Sequence, residues 1–269
     1  MSEPTIPTTG AAQPPVIAPS AAAAPAKRNP AEPNRGSDAI RPAVDPFHRN
    51  WVWSSLQLLL RLVFTVWLRY RSRGMEHLPG ESGALLLSNH QSFLDPLLIG
   101  LPLTRPVSFL ARDTLFPVPV IGWILRNTYV MPLNREGGAA AGIRQTVERM
   151  RQGYLVGIFP EGTRSRDGQV GELKPGFAAL LRRSELPVLP IGIAGAATAL
   201  GRDNLWLRPA RVCVVFGTPF DPAVLERLSK KGQEEALLAH VRARIVECQQ
   251  QAQTWLDEPL AQRLAKDTD

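Results

Sequence analysis

Residues 83–96 read Gly83-Ala84-Leu85-Leu86-Leu87-Ser88-Asn89-His90-Gln91-Ser92-Phe93-Leu94-Asp95-Pro96. A short apolar run, Ala84–Ser88, leads into a polar turn and then into a helical pattern beginning near Pro96. The same alternation recurs along the chain. Val107–Leu110, Thr128–Leu133, Leu155–Phe159, Val188–Ile193 and Arg211–Phe216 read as strands. Pro96–Leu101, Val118–Arg126, Ala139–Gln152 and Pro175–Ser184 read as helices, and a longer helix falls near Gly232–Trp255. In that last segment Leu237, Val241, Ile245 and Cys248 recur at three- to four-residue steps, which makes one apolar stripe. Strands alternating with helices predict an α/β fold with a largely parallel central sheet flanked by helices.

Ligands of such sheets gather at the carboxyl ends of the strands, and His90 falls just past one of them. Asp95 follows five residues later. On a continuous helix that step is about 500°, so the two side chains would diverge. They meet only if His90 sits in the turn and Asp95 in the first helical turn. Ser92 suits an N-cap, Asp95 then falls at its third position, and Pro96 is tolerated in a first turn. One reading is a His–Asp pair: the carboxylate fixes the ring tautomer, and the other ring nitrogen accepts a proton from an attacking hydroxyl. The other is a capping box, with His90 a plain turn residue. No Gly-x-Ser-x-Gly elbow is present, and neither Cys213 nor Cys248 lies near His90 in sequence. A histidine base without a protein nucleophile points to direct attack by a substrate hydroxyl, with turnover lost as acid protonates the ring.

The run Leu155–Phe159 enters Phe159-Pro160-Glu161-Gly162-Thr163-Arg164-Ser165-Arg166-Asp167-Gly168. Gly162 permits close backbone approach. Thr163 and Ser165 supply hydroxyls, and Arg164 and Arg166 supply planar donor forks suited to phosphate. Lys174 follows, just before a predicted helix. A solvated basic turn is the plainer alternative.

Together these segments resemble the glycerolipid acyltransferase family, specifically the 1-acyl-sn-glycerol-3-phosphate acyltransferase (lysophosphatidic acid acyltransferase) type. Its first motif, Asn-His-x-Ser-x-x-Asp, matches Asn89 to Asp95, and Phe-Pro-Glu-Gly-Thr-Arg-Ser matches Phe159 to Ser165. Val188-Leu189-Pro190-Ile191-Gly192-Ile193 is similar to the family's proline-centred strand. Gly122 through Pro132-Leu133-Asn134-Arg135 is similar to its glycine-to-arginine segment, although the usual aromatic-isoleucine-x-arginine ending is replaced. The resemblance covers residues 70–220. It implies His90 as general base and Asp95 as its partner, and Arg135 as the phosphate ligand. It places Glu161, Gly162, Thr163, Arg164 and Lys174 around the acceptor and has Pro190 shape the acyl region. A carboxylate beside a phosphate would be repelled, so Glu161 is expected to pair with an arginine. The implied substrates are a lysophospholipid acceptor and an acyl thioester donor, either acyl-CoA or acyl-carrier protein. No metal or other cofactor is implied.

Residues 1–46 contain ten Pro and eleven Ala with no amphipathic period, so they read as a disordered tail. The first apolar run comes only after residue 50, too late for a signal peptide. That run, Trp51–Leu68, carries Arg61 in its middle and is followed by Arg69-Tyr70-Arg71-Ser72-Arg73. It is short for a span of roughly 20 apolar residues. A membrane-associated amphipathic helix over residues 47–73 is expected, its aromatic residues at the interface and the basic cluster on anionic headgroups. A true span and a buried helix of a soluble protein are the alternatives. Residues 74–222 are then the catalytic core and 223–269 a C-terminal helical segment.

The net charge of +7 sits in the body, because acidic and basic residues cancel in the tail. It suits an anionic partner, but no stripe of interleaved basic and aromatic residues marks a nucleic-acid binder. Two unpaired-looking cysteines indicate a reducing compartment, hence the cytoplasmic face of a membrane. The competing readings are transfer to another lysolipid or to glycerol 3-phosphate, a hydrolase releasing free fatty acid, and a non-catalytic membrane-binding protein.

Overall fold

The computed structural model describes residue 47 and residues 50–133, 138–202 and 206–259. The expected tail, residues 1–46, lies outside them. In chain order the elements are α1 (Trp51–Trp67), β1 (Arg71–Arg73), β2 (Ala84–Ser88), α2 (Asp95–Gly100), β3 (Val107–Arg112), α3 (Pro119–Asn127), β4 (Met131–Leu133) and α4 (Gly138–Arg151). Then come β5 (Leu155–Ile158), α5 (Phe177–Leu181), β6 (Val188–Ala194), α6 (Ala196–Leu200), β7 (Cys213–Phe216), α7 (Pro222–Leu228) and α8 (Glu234–Asp257).

Every residue of β2 is buried, which explains its unbroken apolar run: the strand is covered on both faces. Successive side chains alternate between two core layers, as the pleat requires. Leu86 packs with Leu98, Phe109, Ile191 and Phe216 on one face. Leu85 and Leu87 pack with Tyr154, Val156, Leu237, Val241 and Ile245 on the other. The seven strands lie in the order β1-β7-β6-β2-β5-β3-β4, and all neighbours are parallel except β6 and β7. The expected α/β architecture with a largely parallel sheet is therefore present.

Two expectations need correction. The helix expected over residues 47–73 ends at Trp67; Arg71–Arg73 is edge strand β1, paired with β7, and the guanidinium groups of Arg71 and Arg73 lie over the Trp255 ring of α8. The fourth strand starts at Met131 rather than Thr128. Thr128 closes α3, and Tyr129 adopts the left-handed region at φ 64°, which breaks the chain direction between helix and strand.

Helix α1 is predominantly apolar, interrupted by Ser54, Ser55, Gln57, Arg61 and Thr65. Trp53, Gln57 and Phe64 face the core, and the Gln57 side-chain amide donates to the carbonyls of Gly100, Leu101 and Leu103 beyond α2. Arg61, awkward for a membrane centre, donates Nε to Leu101 O at 3.3 Å. Leu58, Leu59, Leu62, Val66 and Trp67 remain exposed. Among the described residues no helix is long and apolar enough to cross a membrane.

Helix α8 lays its stripe across β6 and β7, and Leu237, Val241, Ile245 and Cys248 are all buried as its period predicts. Gly192 sets how closely it can approach. A Cβ at that position would lie 2.1 Å from both Cys248 C and Gln249 N. Backbone atoms cannot swing aside, so Gly192→Ala must push α8 off the sheet. We expect a loss of roughly 3 kcal/mol or more, at the upper end of overpacking costs, read as a fall in the urea midpoint. An unchanged midpoint would mean that the helix can slide freely.

Candidate active site

The site begins with strand register. Leu87 of β2 lies opposite Ile158 of β5 in a parallel pair, so the chain leaves both strands at one edge. Asn89-His90 and Phe159-Pro160-Glu161 thereby emerge side by side, although His90 and Glu161 are 71 residues apart. Asn89 ties down the other neighbour. Its buried amide donates to Ile193 O at 2.9 Å and accepts from Ile193 N at 2.8 Å, locking the end of β2 to β6.

His90 and Asp95 meet. Nδ1 of His90 lies 2.7 Å from Asp95 Oδ2. The same oxygen accepts the backbone N–H groups of Gln91 (2.6 Å) and Ser92 (2.8 Å). The regular helix starts at Asp95, and Ser92 caps the turn before it: its Oγ accepts from Leu94 N at 3.0 Å and donates to Leu200 O at 2.6 Å. The His–Asp pair and the reach-back of a capping box are thus the same carboxylate. Asp95 is fully buried, and burial raises its carboxyl above the ordinary 3.8, opposed by the His90 hydrogen bond and charge and by the two amides.

The second motif clamps the His90 peptide from both sides. Glu161 Oε1 accepts His90 N at 3.0 Å, and Ser165 N donates to His90 O at 2.8 Å. Phe159 stacks on the imidazole, ring centres 4.0 Å apart and planes 15° apart. With Nδ1 on Asp95 and a face on Phe159, Nε2 is the ring nitrogen left for chemistry. Glu161 corrects the expected ion pair: its second oxygen accepts Gly171 N at 3.0 Å, so among the described residues backbone amides, not an arginine, hold both. Burial raises its carboxyl too, opposed by those amides.

Glu161, Thr163, Arg164 and Lys174 line one cavity of about 410 Å³, together with Ser165, Arg166 and Arg202. Gly162, at φ 69°, makes the turn and lies under the Lys174 stem, whose Cγ would be 3.4 Å from a Cβ there. The Arg164 guanidinium lies 3.4 Å from the centre of the Phe93 ring. Arg135 falls outside the described residues. Pro190 sits inside β6, its carbonyl accepting from Gly217 N at 2.9 Å, with Cys248 Sγ 3.8 Å away. Burial pushes the Cys248 thiol up to about 11. Among the described residues no group of three or more His, Cys, Asp and Glu could hold a metal ion.

Reading the motifs missed three participants. Phe159 closes a strand and opens the second motif in sequence, but neither position signals that its ring stacks on the imidazole. Phe93 was taken as a spacer. Arg202 gave no local signal, because only the fold carries its loop to the cavity.

The family model described as acyltransferase matches residues 69–194. The 1-acyl-sn-glycerol-3-phosphate acyltransferase of Pseudomonas aeruginosa is 31% identical over 210 residues, covering 74% of each chain. The chloroplastic enzyme of that name from Arabidopsis thaliana is 31% identical over 180 residues, or 65% of this chain, which spans only 50% of that relative's length. The crystal structure of the 1-acyl-sn-glycerophosphate acyltransferase from Thermotoga maritima superposes with a TM-score of 0.58 at 25% identity, covering 72% of this chain and 78% of that one. The chain belongs to the acyltransferase family that includes the 1-acyl-sn-glycerol-3-phosphate acyltransferases.

Proposed function

We propose that this protein moves a fatty acyl group from acyl-CoA or acyl-carrier protein to the free hydroxyl of 1-acyl-sn-glycerol 3-phosphate, giving phosphatidic acid. The observation that carries the reading is the 2.7 Å contact between His90 Nδ1 and a buried carboxylate, next to a cavity lined by Arg164 and Lys174. With Nδ1–H donated to Asp95, Nε2 carries the lone pair. It takes the proton as the hydroxyl oxygen attacks the thioester carbonyl carbon. The carbon–sulfur bond then breaks, and the proton passes from Nε2 to the leaving thiolate. Asp95 steadies the imidazolium between these steps. Arg164, Lys174 and Arg135 hold the acceptor phosphate, with Gly162 and Thr163 at the turn that shapes its site.

We also assign membrane binding to the exposed apolar face of α1, where Leu62 is 63% and Val66 77% exposed, together with Val120, Ile121 and Trp123 of α3. The side chain of Asn50, before α1, donates to Asn127 O at the end of α3, so the two helices adjoin at that point. An acceptor drawn from lipid would be met there, at the cytoplasmic face of the membrane. Replacing Leu62 and Val66 by Glu should abolish flotation with vesicles containing anionic lipid and leave the far-ultraviolet spectrum intact. Flotation equal to wild type would end the assignment.

His90→Ala should lower turnover by the roughly 10²–10⁴ that a general base contributes, while acceptor binding persists. Thiol release from the donor should require added lysophosphatidate. Release without acceptor would indicate a hydrolase, and none with any acceptor would indicate a non-catalytic protein.

Asp95→Asn should separate stability from chemistry. The folded protein holds the Asp95 proton more tightly than the unfolded chain, because the folded carboxyl is raised. The charged form therefore costs stability at neutral pH, and that cost fades as pH falls through the raised value toward 3.8. An Asn oxygen can still accept all three N–H groups. The new amide nitrogen would take the place of the buried Oδ1, which has no partner among the described residues, and this offsets part of the relief at neutral pH. The variant should lose the acid-side gain and turn over on the order of 10²-fold more slowly. Wild-type turnover in the variant would remove Asp95 from the mechanism.

A further inference from the structure

The stretch between β5 and α5, residues 159–176, carries the cavity-lining side chains other than Arg202, with no helix or strand of its own. A loop that must hold a phosphate-bearing acceptor in register needs support from a rigid element. Part of that support comes from α8, which begins forty residues beyond the last residue matched by the acyltransferase model. Arg242 donates Nε to Gly171 O at 2.9 Å and Nη2 to Val170 O at 2.7 Å. About two turns further along, the Gln249 side-chain amide donates to Gly168 O, the same carbonyl that accepts Gln91 Nε2 at 2.6 Å. Gln249 and Gln91 are both buried, so neither amide can trade these bonds for bulk water.

These contacts lead directly to the catalytic turn. Gly171, whose carbonyl Arg242 holds, donates its N–H to Glu161 Oε2, and Glu161 Oε1 holds His90 N. Gly168, whose carbonyl Gln249 holds, is joined through Gln91 to the residue next to His90. Val170 packs among Leu237, Val241 and Ile245, which seats the loop centre on the same helix. We infer that Arg242 and Gln249 of α8 are positioning residues for the acceptor: they fix the 168–171 segment, and through it the Glu161 side chain that joins the phosphate cavity to His90. This deepens the proposed function and rests on that reading for its kinetic consequence. The mechanical part stands on geometry alone.

The test uses the full-length chain with Arg242→Ala, Arg242→Lys and Gln249→Ala. Arg244→Ala is the control on the same helix: Arg244 pairs with Glu247 and Thr218, away from the loop. Hydrogen exchange of peptides covering residues 162–174 should speed up in Arg242→Ala and Gln249→Ala and not in Arg244→Ala, whatever the activity. With 1-acyl-sn-glycerol 3-phosphate as acceptor, KM should rise roughly tenfold in Arg242→Ala, the scale of losing a hydrogen bond to a charged group. KM for the acyl thioester should stay near wild type, and Arg242→Lys should recover part of the loss. A purely structural role would lower the folded fraction and the melting temperature equally for both substrates. Unchanged loop exchange, or equal effects on the two KM values, overturns the inference. If the wild type transfers no acyl group, the parent reading fails, and the exchange experiment still decides whether α8 holds the loop.

Discussion

One oxygen of Asp95 organises the site. Buried from solvent, Oδ2 accepts His90 Nδ1 and the amides of Gln91 and Ser92, all within 2.8 Å. A carboxylate in such surroundings is costly unless donors surround it. Those donors lie within five residues of it, so satisfying the charge folds the turn, and folding the turn aims the ring. Capping the turn and orienting the His90 ring are therefore a single constraint. This explains why the motif needs a five-residue step, which a continuous helix could never bring together.

The second constraint is register. Because β2 and β5 are adjacent and parallel, their exits present His90 and Glu161 to each other without any long connection. Glu161 then does what a positive partner would not. Its two oxygens accept backbone amides from two separate loops, at residues 90 and 171. The imidazole is held along its edge by Asp95, across its face by Phe159 and at its peptide by Glu161 and Ser165. In the proposed mechanism, a base so restrained would need little reorganisation when the hydroxyl arrives.

Much of this was legible in residues alone, for definable reasons. The core strands showed because they are covered on both faces, and α8 showed because its buried stripe keeps helical period along the strip it packs on. Asn89 to Asp95 and Phe159 to Ser165 were legible as motifs. What stayed hidden depends on strand order, which no local pattern records. The Glu161 amides come from residues 90 and 171, and the Asn89 bridge reaches residue 193. Strand β1 was hidden differently. Arg71-Ser72-Arg73 reads as the end of the preceding helical segment until the neighbouring β7 and Trp255 are in place.

The cavity mouth finally bears on why the acceptor should be an amphiphile rather than a small phosphate ester. Arg164 does not stand alone in water; its guanidinium lies on Phe93, which is 59% exposed. Stacking covers one face of the cation, and a planar guanidinium presents its N–H donors in its own plane, the direction from which phosphate oxygens are bound. The uncovered part of the ring is apolar surface directly beside that charge. A ligand with a phosphate and an alkyl chain satisfies both, whereas a bare phosphate leaves the ring wet. The apolar faces of α1 and α3 extend the same logic outward: the protein exposes hydrocarbon where its proposed substrate carries hydrocarbon, and lines the cavity with cations where that substrate carries charge.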